Sequence, residues 1–126
     1  MEKLLSNKIY LLETFDKDKT VEINSPLSEK GIRMARLFSL TIKNLRIDNC
    51  YTDTSVASFG TALLLVGTKV KINKNQKLNN NDKGQIRKFI EELANEYSMD
   101  NKLLIIAKKS VLLLIKEYTN NADFIV

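Results

Sequence analysis

The run Leu103-Leu104-Ile105-Ile106-Ala107 constrains the fold of this chain more than any other segment. A strand with one solvated face alternates apolar and polar residues. An unbroken apolar run this short is covered on both faces, which is the situation of a parallel sheet between helices. Residues 8–12 end in the same kind of run and read as a second buried strand. Residues 46–51 and 69–72 are weaker strand candidates, and residues 123–126 read as a strand at a sheet edge.

Helical patterns fall between these strands. Ser28 is a suitable N-cap for a helix over residues 28–44, with Met34, Leu37, Phe38 and Leu45 on its apolar face. A second helix is expected over residues 54–66. A third begins near Asp82, where Ile86, Phe89, Ile90, Leu93, Ala94 and Tyr97 recur at the spacing of one helical face. A fourth follows Lys109 and runs to about Tyr118. The polar stretch 73–83, with Asn79, Asn80 and Asn81 in a row, reads as a surface loop. Strands alternating with helices imply an α/β fold, a three-layer α/β/α sandwich around a mostly parallel sheet. At 126 residues, with one Pro and four Gly, residues 1–126 read as a single domain without a linker.

Composition bounds the function. No apolar run approaches the roughly 20 residues that span a bilayer, and residues 1–12 lack the pattern of a secretory signal. Cys50 is the one cysteine, so an internal disulfide is impossible and a reducing, cytoplasmic setting is expected. The formal net charge is +5, but the lysines are scattered and aromatics make up 7% of the chain, which argues against a nucleic-acid surface. Asp48, Asp53, Asp82 and Asp100 form no ligand-spaced cluster. With no histidine and no second cysteine, neither a metal site nor any other cofactor is expected.

In a parallel sheet, ligands bind beyond the carboxyl ends of the strands. The segments to inspect are therefore the turns after Leu12, Tyr51 and Ile106. Lys8-Ile9-Tyr10-Leu11-Leu12 resembles a first strand that ends in Arg-His-Gly-Glu. Ser25-Pro26-Leu27-Ser28-Glu29-Lys30-Gly31 resembles a Pro-Leu-Thr-x-x-Gly lead-in to a first helix. Tyr51-Thr52 through Thr61-Ala62 resembles Tyr-Ser-Ser-Pro-x-x-Arg-Ala-x-Gln-Thr-Ala. Leu104-Ile105-Ile106-Ala107, followed by Lys108, Lys109 and Val111, resembles a strand ending in Ser-His-Gly-Gly. Together these segments resemble the histidine phosphatase superfamily, the phosphoglycerate mutase-like fold, in a small form.

That resemblance implies five catalytic groups. A histidine attacks the phosphoryl group, a second histidine and two arginines stabilise its charge, and a carboxylic acid protonates the leaving oxygen. Carried over by position, the first arginine falls on Glu13, the nucleophile on Thr14 and the following glycine on Phe15. The second arginine falls on Ala57 and the second histidine on Lys108. The acid falls near residues 79–81, where no carboxylate stands before Asp82. The chain contains no histidine at all, so realignment cannot restore the nucleophile. Phosphohistidine chemistry is excluded, and no catalytic residues are assigned. The expected vestigial pocket comprises Glu13, Thr14, Phe15, Thr52, Ala57 and Lys108, with Glu13 and Lys108 expected to form an ion pair across it. A Glu13 carboxylate on the pocket floor would repel a phosphate by several kcal/mol at ~4 Å.

Other readings of these residues are bland. Lys108, Lys109 and Ser110 stand where a strand turns into a helix and could hold an anion; solvated lysines in an ordinary turn serve as well. Nothing supplies the carbonyl-binding groups that a Schiff-base role for Lys108 would need. Cys50 reads as a small buried hydrophobe. Thr52, Asp53, Thr54 and Ser55 read as a turn and a helix N-cap.

The expectation is a pseudoenzyme of the histidine phosphatase type, a protein-binding or regulatory module with an exposed apolar or charged patch outside the cleft. The alternative is a protein that binds a phosphorylated small molecule in the vestigial cleft, lined by Thr14, Thr52, Lys108 and Ser110. A protein partner is expected and a membrane is not, while self-association stays open.

Overall fold

The computed structural model describes residues 5, 7–15, 17–20, 24–98 and 100–125. Five strands form one sheet in the order β3-β2-β4-β1-β5: β1 Ile9–Glu13, β2 Asn49–Thr52, β3 Lys71–Lys74, β4 Leu103–Ala107 and β5 Ala122–Phe124. Every pairing in it is parallel. The apolar run of β4 sits at the centre, and all five of its residues are fully buried, as its composition demands.

Four helices cover the two faces: α1 Glu29–Leu45, α2 Val56–Val66, α3 Lys83–Glu96 and α4 Lys109–Glu117. Alternate residues of β1 and β4 supply two separate cores. Ile9, Leu11, Leu103, Ile105 and Ala107 pack with Phe89, Ile90 and Leu93 of α3 and Val111, Leu112 and Ile115 of α4. Leu12, Leu104, Ile106 and Cys50 pack with Ala35 and Ile42 of α1 and Ala62 and Leu65 of α2. This is the three-layer α/β/α sandwich expected from the sequence.

The caps follow their chemistry. The Ser28 and Asp82 side chains accept from the backbone N–H three residues on, as N-caps do. Ser55 caps α2, which opens two residues later than expected because the turn 53–55 is closed by its own side chains. At the other end of α1, Arg46 adopts a left-handed conformation (φ 56°), so the strand expected over 46–51 starts only at Asn49. Register against β2 moves β3 from the expected 69–72 to Lys71–Lys74. The stretch 73–83 is not simply a loop: it ends β3 and then forms a 3₁₀ turn, Gln76–Leu78, whose Leu78 is fully buried. Residue 126 of the expected last strand lies outside the described residues.

Two helical faces differ from expectation. The buried stripe of α1 runs through Gly31, Ala35 and Ile42. Leu37 lies about 200° round the helix from Ala35 and is 75% exposed, with Leu40 beside it at 67%. On α3, Ala94 is exposed, while Tyr97 caps the helix and sets its ring edge-on to Tyr51, with the two hydroxyls 2.5 Å apart.

Candidate functional site

The strand tips meet where the sequence places them. The Thr14 N–H donates to the Ala107 carbonyl at 3.2 Å, which sets the residue after β1 beside the residue before Lys108. Around this point the loop after β1, the turn after β2, the 76–79 segment and the start of α4 converge on one cleft of about 260 Å³. Its walls are Asp53, Thr54 and Ser55 from the β2–α2 turn, Lys17 and Asn24 from the chain after β1, Asn79, and Lys108.

Of the six residues expected in a vestigial pocket, Lys108 alone lines this cleft. Thr52 and Ala57 are fully buried; Thr52 points its hydroxyl at the Asp53 carbonyl, 2.8 Å away. Thr52 continues the buried strand β2 and Ala57 is one of the buried residues of α2, so neither reaches the surface. Thr14 is half-buried, and its hydroxyl sits 2.6 Å from the Ser58 hydroxyl. Phe15 does not plug the cleft. Its ring turns onto Phe38 of α1, with centroids 5.8 Å apart.

The expected Glu13–Lys108 ion pair is absent. Glu13 pairs in register with Ala107, so Ala107 is the residue that shares its sheet face, and Lys108 is one pleat further on. Lys108 instead donates from Nζ to the Asn79 carbonyl at 3.1 Å. Glu13 is exposed, and among the described residues no cation lies within 4.0 Å of its carboxylate.

The polar groups of the cleft are largely committed to one another. The Asp53 carboxylate accepts from the Ser55 N–H (2.9 Å) and the Ser55 hydroxyl (2.6 Å). Asn79 Oδ1 accepts from the Thr54 N–H, and its amide donates to the Thr54 hydroxyl. Asn24, itself left-handed at φ 50°, accepts from the first N–H of α2, at Val56, and Ser55 accepts from Ser58 N–H. The helix terminus that would greet an anion is thus occupied by side-chain oxygens. The turn-and-cap reading of Thr52 to Ser55 holds. Lys109 and Ser110 are exposed at the opening of α4, which carries no side-chain cap bond, but neither lines the cleft.

Sequence reasoning missed Ser58, although it stands directly after the position of the lost arginine. It also missed Lys17 and Asn24, which come from a loop whose path no periodicity sets, whereas Asn79 lies in the segment 79–81 where the resemblance put the acid. Lys17 pairs with Leu27 in an isolated antiparallel bridge. Among the described residues no group of three or more His, Cys, Asp or Glu could hold a metal ion. Cys50 is fully buried, and burial pushes its thiol up to about 12.

The parallel five-stranded sheet with helices on both faces has the phosphoglycerate mutase-like fold. Solved structures of that fold superpose over most of the chain. An alpha-ribazole phosphatase from Shigella flexneri aligns at TM-score 0.73 with 16% identity, over 86% of this chain and 78% of its own. A phosphoglycerate mutase from Bacillus anthracis aligns at TM-score 0.71 with 16% identity, over 90% and 81%. A mycobacterial glucosyl-3-phosphoglycerate phosphatase aligns at TM-score 0.71 with 11% identity, over 84% and 76%. No family profile and no curated protein sequence matches the chain.

Proposed function

We propose that this protein is a pseudophosphatase: it keeps the histidine phosphatase architecture and acts by binding another protein. The carrying observation is the Thr14–Ser58 hydroxyl pair at the tip of β1. Where the resemblance implies an imidazole nucleophile, two hydroxyls satisfy each other. A hydroxyl needs a neighbouring base to attack phosphorus, and the chain has no histidine to serve. Ala57 and Glu13 leave no guanidinium to hold a transferring phosphoryl group.

The outer face of α1 supports a binding role. Leu37 and Leu40 are exposed there, flanked by the exposed Arg33 and Arg36, and among the described residues neither arginine has an ion-pair partner. Apolar anchors beside arginines suit a protein partner with an apolar centre and an acidic rim. No helix among the described residues is long and apolar enough to cross a membrane. The buried thiol of Cys50 fits a reducing compartment, and we place the protein in the cytoplasm. The test is affinity capture from the native cell with the parent protein and with the Leu37→Glu/Leu40→Glu variant. A protein retained by the first and lost by the second supports the reading; identical recovery by both rejects this surface.

One observation favours a second reading, a phosphorylated small molecule in the cleft: Lys17 and Lys108 both line it. Against it, the Asp53 carboxylate lines the same 260 Å³, and Lys108 is bound to Asn79. Titration with inorganic phosphate and nucleotides, read by thermal shift, distinguishes the two.

A further inference from the structure

A cavity with an aliphatic floor lies at the other end of the sheet, before the strands rather than beyond them. The C-terminal turns of α1 and α2 and the segments leading into β2 and β3 enclose about 540 Å³. That is within the range of about 300–1,000 Å³ of small-molecule sites. Its floor is aliphatic: Ile42, Ile47, Leu65, Val66 and Val70. Its rim carries Lys43, Arg46 and Lys69, and no acidic side chain lines it. Among the described residues none of these three cations has a carboxylate within 4.0 Å. The nearest acid along the chain, Asp48, accepts instead from the Lys102 backbone N–H at 2.7 Å.

Two features set this rim apart from scattered surface lysines. Helix C-termini repel anions through their free carbonyls, but here donors already cover several of them. Arg46 N–H reaches the Lys43 carbonyl, Gly67 N–H reaches the Leu63 carbonyl, and Lys102 Nζ reaches the Leu45 carbonyl. Arg46 itself occupies the left-handed position that closes α1, where glycine is the favoured residue. Local backbone preference therefore does not account for a guanidinium at this point. Opposite it, a Cβ built on Gly67 would meet no atom within 4 Å, so the wall of the cavity is open there.

We infer that this cavity binds a small organic anion with an apolar body, of the class of medium-chain carboxylates. The aliphatic floor takes the chain, and Lys43, Arg46 and Lys69 take the head. A compact dianion such as phosphate lacks the apolar part, and a nucleotide would find no helix N-terminus here for its phosphates. The site is independent of the α1 outer face and of the strand-tip cleft.

The probe is decanoate, titrated into the intact protein and followed by methyl and amide NMR. The expected result is saturable shifts at Ile42, Ile47, Val66 and Val70, with half-saturation below about 1 mM. The Lys43→Glu/Lys69→Glu variant should weaken binding by at least about tenfold. Arg46→Gly should weaken it as well while leaving the melting temperature unchanged or raised, which separates head recognition from folding. Decyltrimethylammonium should not compete, and Leu37→Glu/Leu40→Glu should bind decanoate as the parent does. Absence of saturable shifts at about 1 mM decanoate overturns the inference. So does equal binding of the cationic amphiphile, or shifts confined to Lys17 and Lys108. Binding to phosphatidylglycerol vesicles without decanoate saturation would assign the cations to a lipid surface and overturn it too.

Discussion

The hydroxyls of Thr14 and Ser58 lie 2.6 Å apart, joining the residue after β1 to the first turn of α2. A pair that is each other's partner is a structural cross-link, and its energetics follow from that. Thr14→Val strands the hydroxyl of the fully buried Ser58 and Ser58→Ala that of the half-buried Thr14, and each should cost about 1–2 kcal/mol. The double variant removes both polar groups and should cost less than the sum of the singles. Urea unfolding of the four proteins measures the coupling; additive costs would mean the two hydroxyls do not satisfy each other.

Restoring the imidazole alone should restore nothing. Thr14→His places a nucleophile without arginines at positions 13 and 57 and without a second imidazole at 108. Each lost charge-stabilising donor in such sites is worth about 10²–10³ in rate. The variant should show background hydrolysis of an aryl phosphate and a lowered melting temperature, since it also breaks the contact to Ser58. Turnover clearly above that of the parent would mean the remaining residues still assemble a phosphoryl site.

How much of this was legible differs by element. The run 103–107 gave β4 to the residue, because full burial on both faces leaves no alternative composition. Ser28 and Asp82 marked helix starts because an N-cap bond is local, spanning three residues. Leu37 misled because hydrophobicity alone does not say which stripe of α1 is buried; that stripe runs through the small residues Gly31 and Ala35. The strand tips were legible as a location, since topology brings Thr14 beside Ala107. The cleft's walls were not. Lys108 and Glu13 look complementary in sequence, yet the pleat puts Ala107 beside Glu13, and Lys108 goes to a backbone carbonyl at Asn79. Asn24 and Asn79 act through side-chain bonds to distant backbone, a pairing no spacing encodes.

The buried thiol sets a pH dependence. Burial raises Cys50 from its ordinary 9.0 to about 12. Between those values the unfolded chain releases the proton while the folded one keeps it, so the unfolded state binds fewer protons. Stability present below about pH 9 is therefore lost as pH rises towards 12, at up to about 1.4 kcal/mol per unit. Tyr51 acts in the same direction, raised above 10.0 by burial first and by its bond to Tyr97 second. Urea midpoints at pH 8 and 10 should fall more steeply for the parent than for Cys50→Ala, whatever the offset the smaller side chain introduces. Parallel slopes would show that the thiol titrates alike in both states.

The most direct test is steady-state hydrolysis of p-nitrophenyl phosphate by the purified protein, across pH 5 to 9, against buffer and against Lys108→Ala. The account predicts no release above buffer and no difference between the two proteins. Saturable release by the parent that Lys108→Ala abolishes would contradict it.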